Sequence, residues 1–359
     1  MNSVDRYLPG RVERAVSGIE DLGAEAVLIS KQENVIYLSD FKSSNCFVLL
    51  TGKENYIITD FRYIEAAGNN KAGLTPVLID RVFTVFDFIN KLGIKSLAVE
   101  EDDISYNFYK MMCSKFKGIL KSADGLVEKL RIIKDEYEME CLRKAEAIGD
   151  LAFTHLQGYV KAGMTEKEVA FELEYFMRTN GADCLSFDSI VVSGSRSSLP
   201  HGMPSDKKIE QGDFITLDYG CKIGGYCSDM TRNLLLGEPT KEQEDVYNIV
   251  KEAQQKSLEA VFTGKSVVDI DMTARDIIKY YGYGEYFGHG LGHGVGLEIH
   301  EAPTLGPKGT ETLSPGMAVT IEPGIYLPGK FGVRIEDLVL VTESGYEVLS
   351  SSNKDLIII

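Results

Sequence analysis

The chain has 359 residues, a net charge of -16 and a calculated pI near 4.9, with 44% apolar and 26% charged residues. That is enough apolar chain for one large domain or two ordinary ones, and the acidic balance excludes nucleic acid and anionic membrane as natural partners. Met1-Asn2-Ser3-Val4-Asp5-Arg6 leads into no apolar run, so neither a signal peptide nor a transmembrane helix is expected. The six cysteines (Cys46, Cys113, Cys141, Cys184, Cys221, Cys227) are scattered and form no Cys-x-x-Cys pair. This predicts reduced thiols in a cytoplasm rather than a disulfide framework or a cysteine zinc site.

In residues 1–124 short apolar runs alternate with helical patterns. Ala26–Ser30, Cys46–Thr51, Tyr56–Thr59, Pro76–Ile79 and Ser96–Glu100 read as strands, and Phe61–Ala67, Val85–Leu92 and Tyr106–Phe116 as helices. The alternation predicts an α/β domain. It holds no histidine and no spacing of acids that suggests chemistry, so it reads as scaffold. Ser122-Ala123-Asp124-Gly125 reads as a linker. Beyond it, helices are predicted from about Asp135 to Tyr159, from the capping box Thr165-Glu166-Lys167-Glu168 to Asn180, from Thr240-Lys241-Glu242-Gln243 to Phe262, and from Asp269 to Tyr281.

Two hairpins bring acids together. Phe214–Ile223 and Tyr226–Leu236 read as strands joined by Gly224-Gly225, a two-residue turn signal. That turn pairs Ile223 with Tyr226 and, counted back, Asp218 with Thr231. Asp229 is then a same-face diagonal neighbour of Asp218, roughly 7–8 Å away or less. Such a pair is either a solvated outer face or a cation site. Near the C-terminus, Ala318–Glu322 and Gly332–Leu340 flank a turn at Pro328-Gly329, and a hairpin centred on Gly329 sets Glu322 opposite Glu336. Both glutamates lie in apolar runs, where an unpaired carboxylate is costly.

Between the hairpins, Gly288–Gly296 has glycine at every second position, which argues against a helix. The stretch is either a glycine-rich surface loop or an extended segment. An extended segment sets His289, Leu291, His293 and Val295 on one face, with bare backbone on the other. Three of the five histidines fall within Gly288–Glu301. Four carboxylates and one imidazole suit two divalent ions, whose charges balance, and a water shared by two dications loses its proton near neutral pH. Oxygen-rich ligation favours Mn²⁺, with Co²⁺ or Zn²⁺ able to compete.

Asp218, Asp229, His293, Glu322 and Glu336 match, in order and local spacing, the five metal ligands of the pita-bread metallopeptidases. Pro200-His201-Gly202-x-Pro204, Ile299-His300-Glu301, Glu322-Pro323-Gly324 and Val333-Arg334-Ile335-Glu336-Asp337 resemble the aminopeptidase P and prolidase branch. Asn34–Ser39 and Thr59–Tyr63 are similar to the N-terminal domain of that branch. The resemblance implies an α+β chain: an N-terminal α/β creatinase/prolidase-like domain over residues 1–124, then a pita-bread catalytic domain over residues 125–359. It implies an exopeptidase cleaving Xaa-Pro bonds in dipeptides or short peptides, and a homodimer with the N-terminal domain of one subunit near the other's active site.

Residue by residue, the resemblance implies that Asp218 chelates one metal, that His293 and Glu322 bind the other, and that Asp229 and Glu336 bridge both. His201 assists proton transfer or carbonyl binding. His300 polarises the scissile carbonyl or steadies the tetrahedral intermediate, His289 lies near the residue after the scissile bond, and Glu322 also shuttles a proton. Arg334 holds either a carboxylate behind the ligands or a substrate carboxylate, unless it is a purely structural ion pair. Thr231 and Tyr326 orient ligands. Apart from the resemblance, a proline lacks an N–H and calls for an apolar wall, for which Phe187 and the Leu291 and Val295 face beside His289 are the candidates. His155, Cys221 and Cys227 fit no role. The alternatives are a broader-specificity or methionine aminopeptidase, a metal-free C–N hydrolase, and a non-catalytic binding module on the same fold.

Overall fold

In a computed structural model, which describes residues 4–123 and 125–359, the apolar runs of the first third assemble into one sheet. Its strands are β1 (Ala26–Ile29), β2 (Cys46–Leu50), β3 (Tyr56–Thr59), β4 (Thr75–Leu78), β5 (Ser96–Val99) and β6 (Ile119–Ser122), in the order β4-β3-β2-β1-β5-β6. The β1–β2 and β2–β3 pairs are antiparallel and the other three parallel. Six helices accompany it: α1 (Leu8–Ser17), α2 (Gln32–Ser39), α3 (Ile64–Ala67), α4 (Val85–Lys91), α5 (Tyr106–Lys115) and α6 (Leu126–Arg131). The five expected strands and three expected helices are all present, as an α/β arrangement.

Sequence patterning does not announce α1, α2, α6 or β6. Pro9-Gly10 looks like a turn, yet proline is tolerated in the first turn of a helix because its missing N–H would be unpaired there anyway. Burial of Leu8, Val12 and Ala15 then fixes α1. The chain divides into two compact units, Met1–Arg131 and Ile132–Ile359. Asp124, within the expected linker, lies outside the described residues, and α6 packs on α1 inside the first unit.

The second unit carries the four expected helices as α7 (Glu136–Tyr159), α8 (Glu166–Thr179), α9 (Lys241–Glu259) and α10 (Val267–Tyr280). The capping boxes at Thr165 and Thr240 both form, and Asp135 makes a third with Glu138. Each box satisfies two orphan N–H groups of the first turn. The strands are β7 (Cys184–Leu185), β8 (Ile190–Ser193), β9 (Phe214–Tyr219), β10 (Cys221–Ile223), β11 (Tyr226–Cys227), β12 (Met230–Leu235), β13 (Gly292–Gly294), β14 (Glu301–Leu305), β15 (Ala318–Ile321), β16 (Gly324–Leu327), β17 (Phe331–Arg334), β18 (Asp337–Thr342), β19 (Gly345–Val348) and β20 (Ile357–Ile358).

Two sheets dominate, β20-β12-β9-β8 and β14-β13-β15-β18-β19. Side chains of α7 and α8 bury against Val191, Ile215, Leu217 and Leu234 of the first sheet. Side chains of α9 and α10 bury against Leu305, Val319, Ile321 and Val339 of the second. Truncating a fully enclosed leucine such as Leu217 to alanine costs about 2–5 kcal/mol. Among the described residues no helix is long and apolar enough to cross a membrane, and all six cysteines are free.

Candidate metal centre

The first hairpin turns at Gly224 and Gly225, both at positive φ (60° and 94°), as a tight turn that follows the strand twist requires. Ile223 pairs with Tyr226, Lys222 with Cys227, Tyr219 with Met230, and Asp218 with Thr231. The register is the expected one, but the strand expected over Tyr226–Leu236 breaks at Ser228-Asp229. There the Asp229 N–H leaves the ladder and donates to Glu146 Oε1 of α7 at 2.8 Å.

The second hairpin also keeps its expected register, with Ile321 opposite Asp337 and Gly324 opposite Arg334. Glu322 and Glu336 occupy the break between those pairs, where Pro323 cannot donate to a ladder. Their own N–H groups donate to Leu291 O (2.8 Å) and Thr231 O (3.2 Å), which ties the second hairpin to β13's approach and to β12. His293 is the central residue of β13, flanked by glycines for a steric reason. A Cβ on Gly292 would lie 2.0 Å from Thr320 O, and one on Gly294 2.2 Å from Ala302 O.

These elements converge on one point. Carboxylate oxygens of Asp218, Asp229 and Glu336 all lie within 4.8 Å of one another. His293 Nε2 is 3.4 Å from Glu322 Oε1 and 3.6 Å from Asp229 Oδ2. His293 Nδ1 is 3.1 Å from Gly294 O, which assigns its proton to Nδ1 and leaves the Nε2 lone pair facing the acids. Burial pushes this imidazole down to about 4, so it is neutral and offers the acids no charge.

The acids are correspondingly strained. Burial, then the charges of their neighbours, holds Asp229 and Glu336 well above the ordinary carboxyl range, and burial pushes Glu322 up to about 8. Arg334 Nη2 donates to Asp218 Oδ2 at 2.5 Å, while the buried Asp218 Oδ1 has no hydrogen-bond partner among the described residues. An orphaned carboxylate oxygen, an imidazole lone pair aimed at acids and crowded buried carboxyls are the arrangement a divalent cation would relieve, and the donor set fits one.

Arg334 is committed to the site itself. Besides Asp218 it donates to Thr231 Oγ1 (3.0 Å), Tyr326 OH (2.7 Å) and Pro200 O (3.4 Å). Thr231 passes its hydroxyl hydrogen to Glu336 Oε2 at 2.6 Å. Tyr326 OH lies 2.9 Å from His289 Nε2, and His289 Nδ1 lies 2.7 Å from Gly290 O. With the proton on Nδ1, Tyr326 donates to Nε2. Burial, reinforced by Arg334, lowers His289 to about 4 and keeps it neutral.

His201 and His300 are exposed. The His300 ring stands edge-on to His293, centroids 4.4 Å apart. His201 follows Pro200, whose carbonyl Arg334 holds. Phe187 is half-buried between β7 and β8. The expected apolar face beside His289 is not open, because Leu291 and Val295 are fully enclosed. Strict alternation holds only over the three residues of β13, with a register shift between His293 and Gly294, and Leu291 turns into the core under α10.

His155 is a packing histidine, 2.7 Å from Glu172 and stacked on Phe176. Burial pushes the Cys221 and Cys227 thiols up to about 12 and about 11, so they stay protonated. Motif reasoning on the sequence misses Glu146, Arg232 and Asp337, which are fully or almost fully buried around the ligands. The available signal is the presence of charged residues inside helical or strand-like apolar patterns.

Residues 140–343 match Metallopeptidase family M24, and residues 11–133 match the Creatinase/Prolidase N-terminal domain. The chain is 38% identical over 350 residues to an Xaa-Pro dipeptidase of Pyrococcus horikoshii, covering 97% of this chain and 98% of that one. It superposes on an Xaa-Pro dipeptidase from Bacillus anthracis with a TM-score of 0.95 and 44% identity, covering 98% and 99% of the two chains. An X-Pro aminopeptidase from Thermotoga maritima gives a TM-score of 0.88 at 38% identity, with 96% and 100% covered.

Proposed function

The chain belongs to Metallopeptidase family M24, behind a Creatinase/Prolidase N-terminal domain, and on that premise we propose that it is an exopeptidase cleaving the bond between an N-terminal residue and a following proline. It is a hydrolase whose family implies divalent metal ions. The observation that carries the reading is the five-donor cluster, in which a neutral His293 turns Nε2 toward Asp229 and Glu322 beside Asp218 and Glu336. Relatives named Xaa-Pro dipeptidase and X-Pro aminopeptidase support the proline preference.

In this reading Asp218, Asp229, His293, Glu322 and Glu336 would hold the divalent ions. Once bound, the ions supply Lewis acidity toward the scissile carbonyl and toward water. Glu322 would take up at its carboxylate the proton lost by the attacking water and pass it to the leaving nitrogen. His300, exposed beside His293, donates to the scissile carbonyl oxygen, and His201 assists proton transfer at the mouth. Arg334, held by Thr231, Tyr326 and Pro200, orients Asp218 rather than waiting for a substrate carboxylate. Thr231 orients Glu336, and Tyr326 orients both Arg334 and His289. His289 stands beside the residue after the scissile bond, with Phe187 as an apolar wall. A proline there presents no N–H, so a pocket without an acceptor suits it.

Four carboxylates among five donors favour Mn²⁺ over Co²⁺ or Zn²⁺. The same reading makes the protein a homodimer of the cytoplasm, where its free thiols are at home. Chelator-treated protein given Mn²⁺, Co²⁺ or Zn²⁺ separately, then assayed on Xaa-Pro and Xaa-Pro-Yaa peptides, tests the whole reading. Hydrolysis of the dipeptide alone marks a dipeptidase and hydrolysis of both an aminopeptidase. No hydrolysis of either with any ion removes the proline assignment.

A further inference from the structure

We propose that Lys134 is a positioning residue for His300, acting through the carboxylate of Glu301. The inference rests on the role given to His300 above. Lys134 stands just before Asp135, the N-cap of α7, and its own N–H donates to Gly316 O at 2.8 Å. Its ammonium reaches Glu301 Oε2 at 3.2 Å, with 1% of the Lys134 side chain and 6% of the Glu301 side chain exposed. The two residues are 167 positions apart in sequence, and neither touches substrate in the proposed reaction.

Glu301 directly follows His300 and closes the loop that carries it. Its Oε1 accepts the Glu298 N–H at 3.0 Å. The carboxylate lies against Gly296 so closely that a Cβ there would sit 2.6 Å from each of its oxygens. Gly296 N–H donates to Glu298 O at 3.0 Å, and Gly296 O accepts the Cys227 N–H at 2.8 Å. The carboxylate thus gathers residues 296–301, and the Cys227–Gly296 backbone bond lays them against the Asp218–Asp229 hairpin.

A carboxylate this deeply enclosed needs a cation beside it. Lys134 supplies that charge from the position just before the N-cap of the 24-residue helix α7. With the ammonium removed, Glu301 is driven to turn toward water, and the adjacent His300 moves with it. His300 ring contact with His293 is the geometry at stake.

The test compares Lys134→Met and Lys134→Arg in the wild-type and His300→Ala backgrounds, each matched for bound metal. The inference expects Lys134→Met to lower kcat by about 10- to 100-fold with KM little changed, as for a misplaced catalytic group. Lys134→Arg should restore most of the rate, and Lys134→Met should cost little further once His300 is alanine. Wild-type kcat in Lys134→Met, or fully additive losses, overturns it and leaves Lys134 a stability element. Should Lys134→Met not fold, the neutral pair Lys134→Met/Glu301→Gln replaces it in the same comparison. A kcat loss that vanishes in the His300→Ala background then supports the inference, and a wild-type kcat or an additive loss overturns it. Full turnover in His300→Ala would remove His300 from the mechanism and this inference with it. A slow His300→Ala with additive Lys134→Met would overturn this inference alone.

Discussion

Arg232 and Asp337 face one another across 2.6 Å, with 1% and 0% of their side chains exposed. Each is the sequence neighbour of a site residue, Thr231 and Glu336. Arg232 Nη1 donates to the carbonyls of both, which clamps the two hairpins together directly behind the acids. Asp337 also accepts from Gln254 Nε2 (2.7 Å) and Lys354 Nζ (2.5 Å).

Asp337→Ala would strand the Arg232 charge without its carboxylate. Breaking one side of a buried pair costs about 3–5 kcal/mol, so the second unit should unfold at clearly lower denaturant concentration. Metal affinity should fall by about 10–100-fold, as for loss of a group that supports a ligand. Urea titration and metal titration of the same variant check both. A wild-type unfolding midpoint would show that the clamp is dispensable.

Stability should fall with rising pH in the metal-free protein and be nearly independent of pH once metal is bound. Burial pushes Glu322 from its ordinary 4.5 up to about 8, and Asp229 and Glu336 also lie well above their ordinary values. A carboxyl that holds its proton more tightly when folded favours the fold in acid, and that contribution is lost as pH climbs through the folded value. His293, pushed down to about 4, acts in the other direction only below its ordinary 6.5. Chelated protein should therefore melt lower at about pH 9 than at about pH 7. Metal displaces the same protons, so its affinity should rise over that interval, with about 2.7 kcal/mol of stabilisation at a hundred times Kd. Thermal melts with chelator and with Mn²⁺ at the two pH values would reveal this, and a midpoint indifferent to metal would argue against the five-donor site.

Ligands and flanking histidines should separate by mutation. His293→Ala and Glu336→Ala are expected to lose bound metal and activity together. His201→Ala and His300→Ala should retain metal and lose turnover by roughly 10²-fold or more. Metal analysis alongside kcat distinguishes the two classes. Metal loss in His300→Ala would move it among the ligands.

Proline preference should appear in kcat/KM for Xaa-Pro against Xaa-Ala, with a free N-terminus required. An apolar pocket discriminates by about 10–200-fold per methylene-sized difference. Equal rates on the two peptides, or cleavage of N-acetylated substrates, would point to a broader aminopeptidase or an internal cleavage activity.

Helices α8 and α9 and the Asp218–Thr231 pairing are legible in the sequence because capping boxes and hairpin turns are local signals, and α7 and α10 follow from their helical patterns. The acids stand out for being charged inside apolar runs of sequence. What escapes is non-local or locally disguised. Arg232 and Asp337 meet across 105 positions, and no periodicity announces such a pairing. Helix α1 hides behind Pro9-Gly10. Strict alternation puts Leu291 on an open face, and the short β13 does not sustain that alternation.

Both hairpins keep a single register from bend to acid. Lys222 opposite Cys227 and Asp218 opposite Thr231 belong to one count, as do Tyr326 opposite Gly332 and Ile321 opposite Asp337. Inserting one residue into one arm would slip the pairing and carry every acid beyond it to the opposite face. The tips at Gly224-Gly225 and Pro328–Lys330 are free of that constraint, provided their new bends leave the arms aligned. Insertions and deletions in descendants of this chain should therefore collect at the bends and spare the arms.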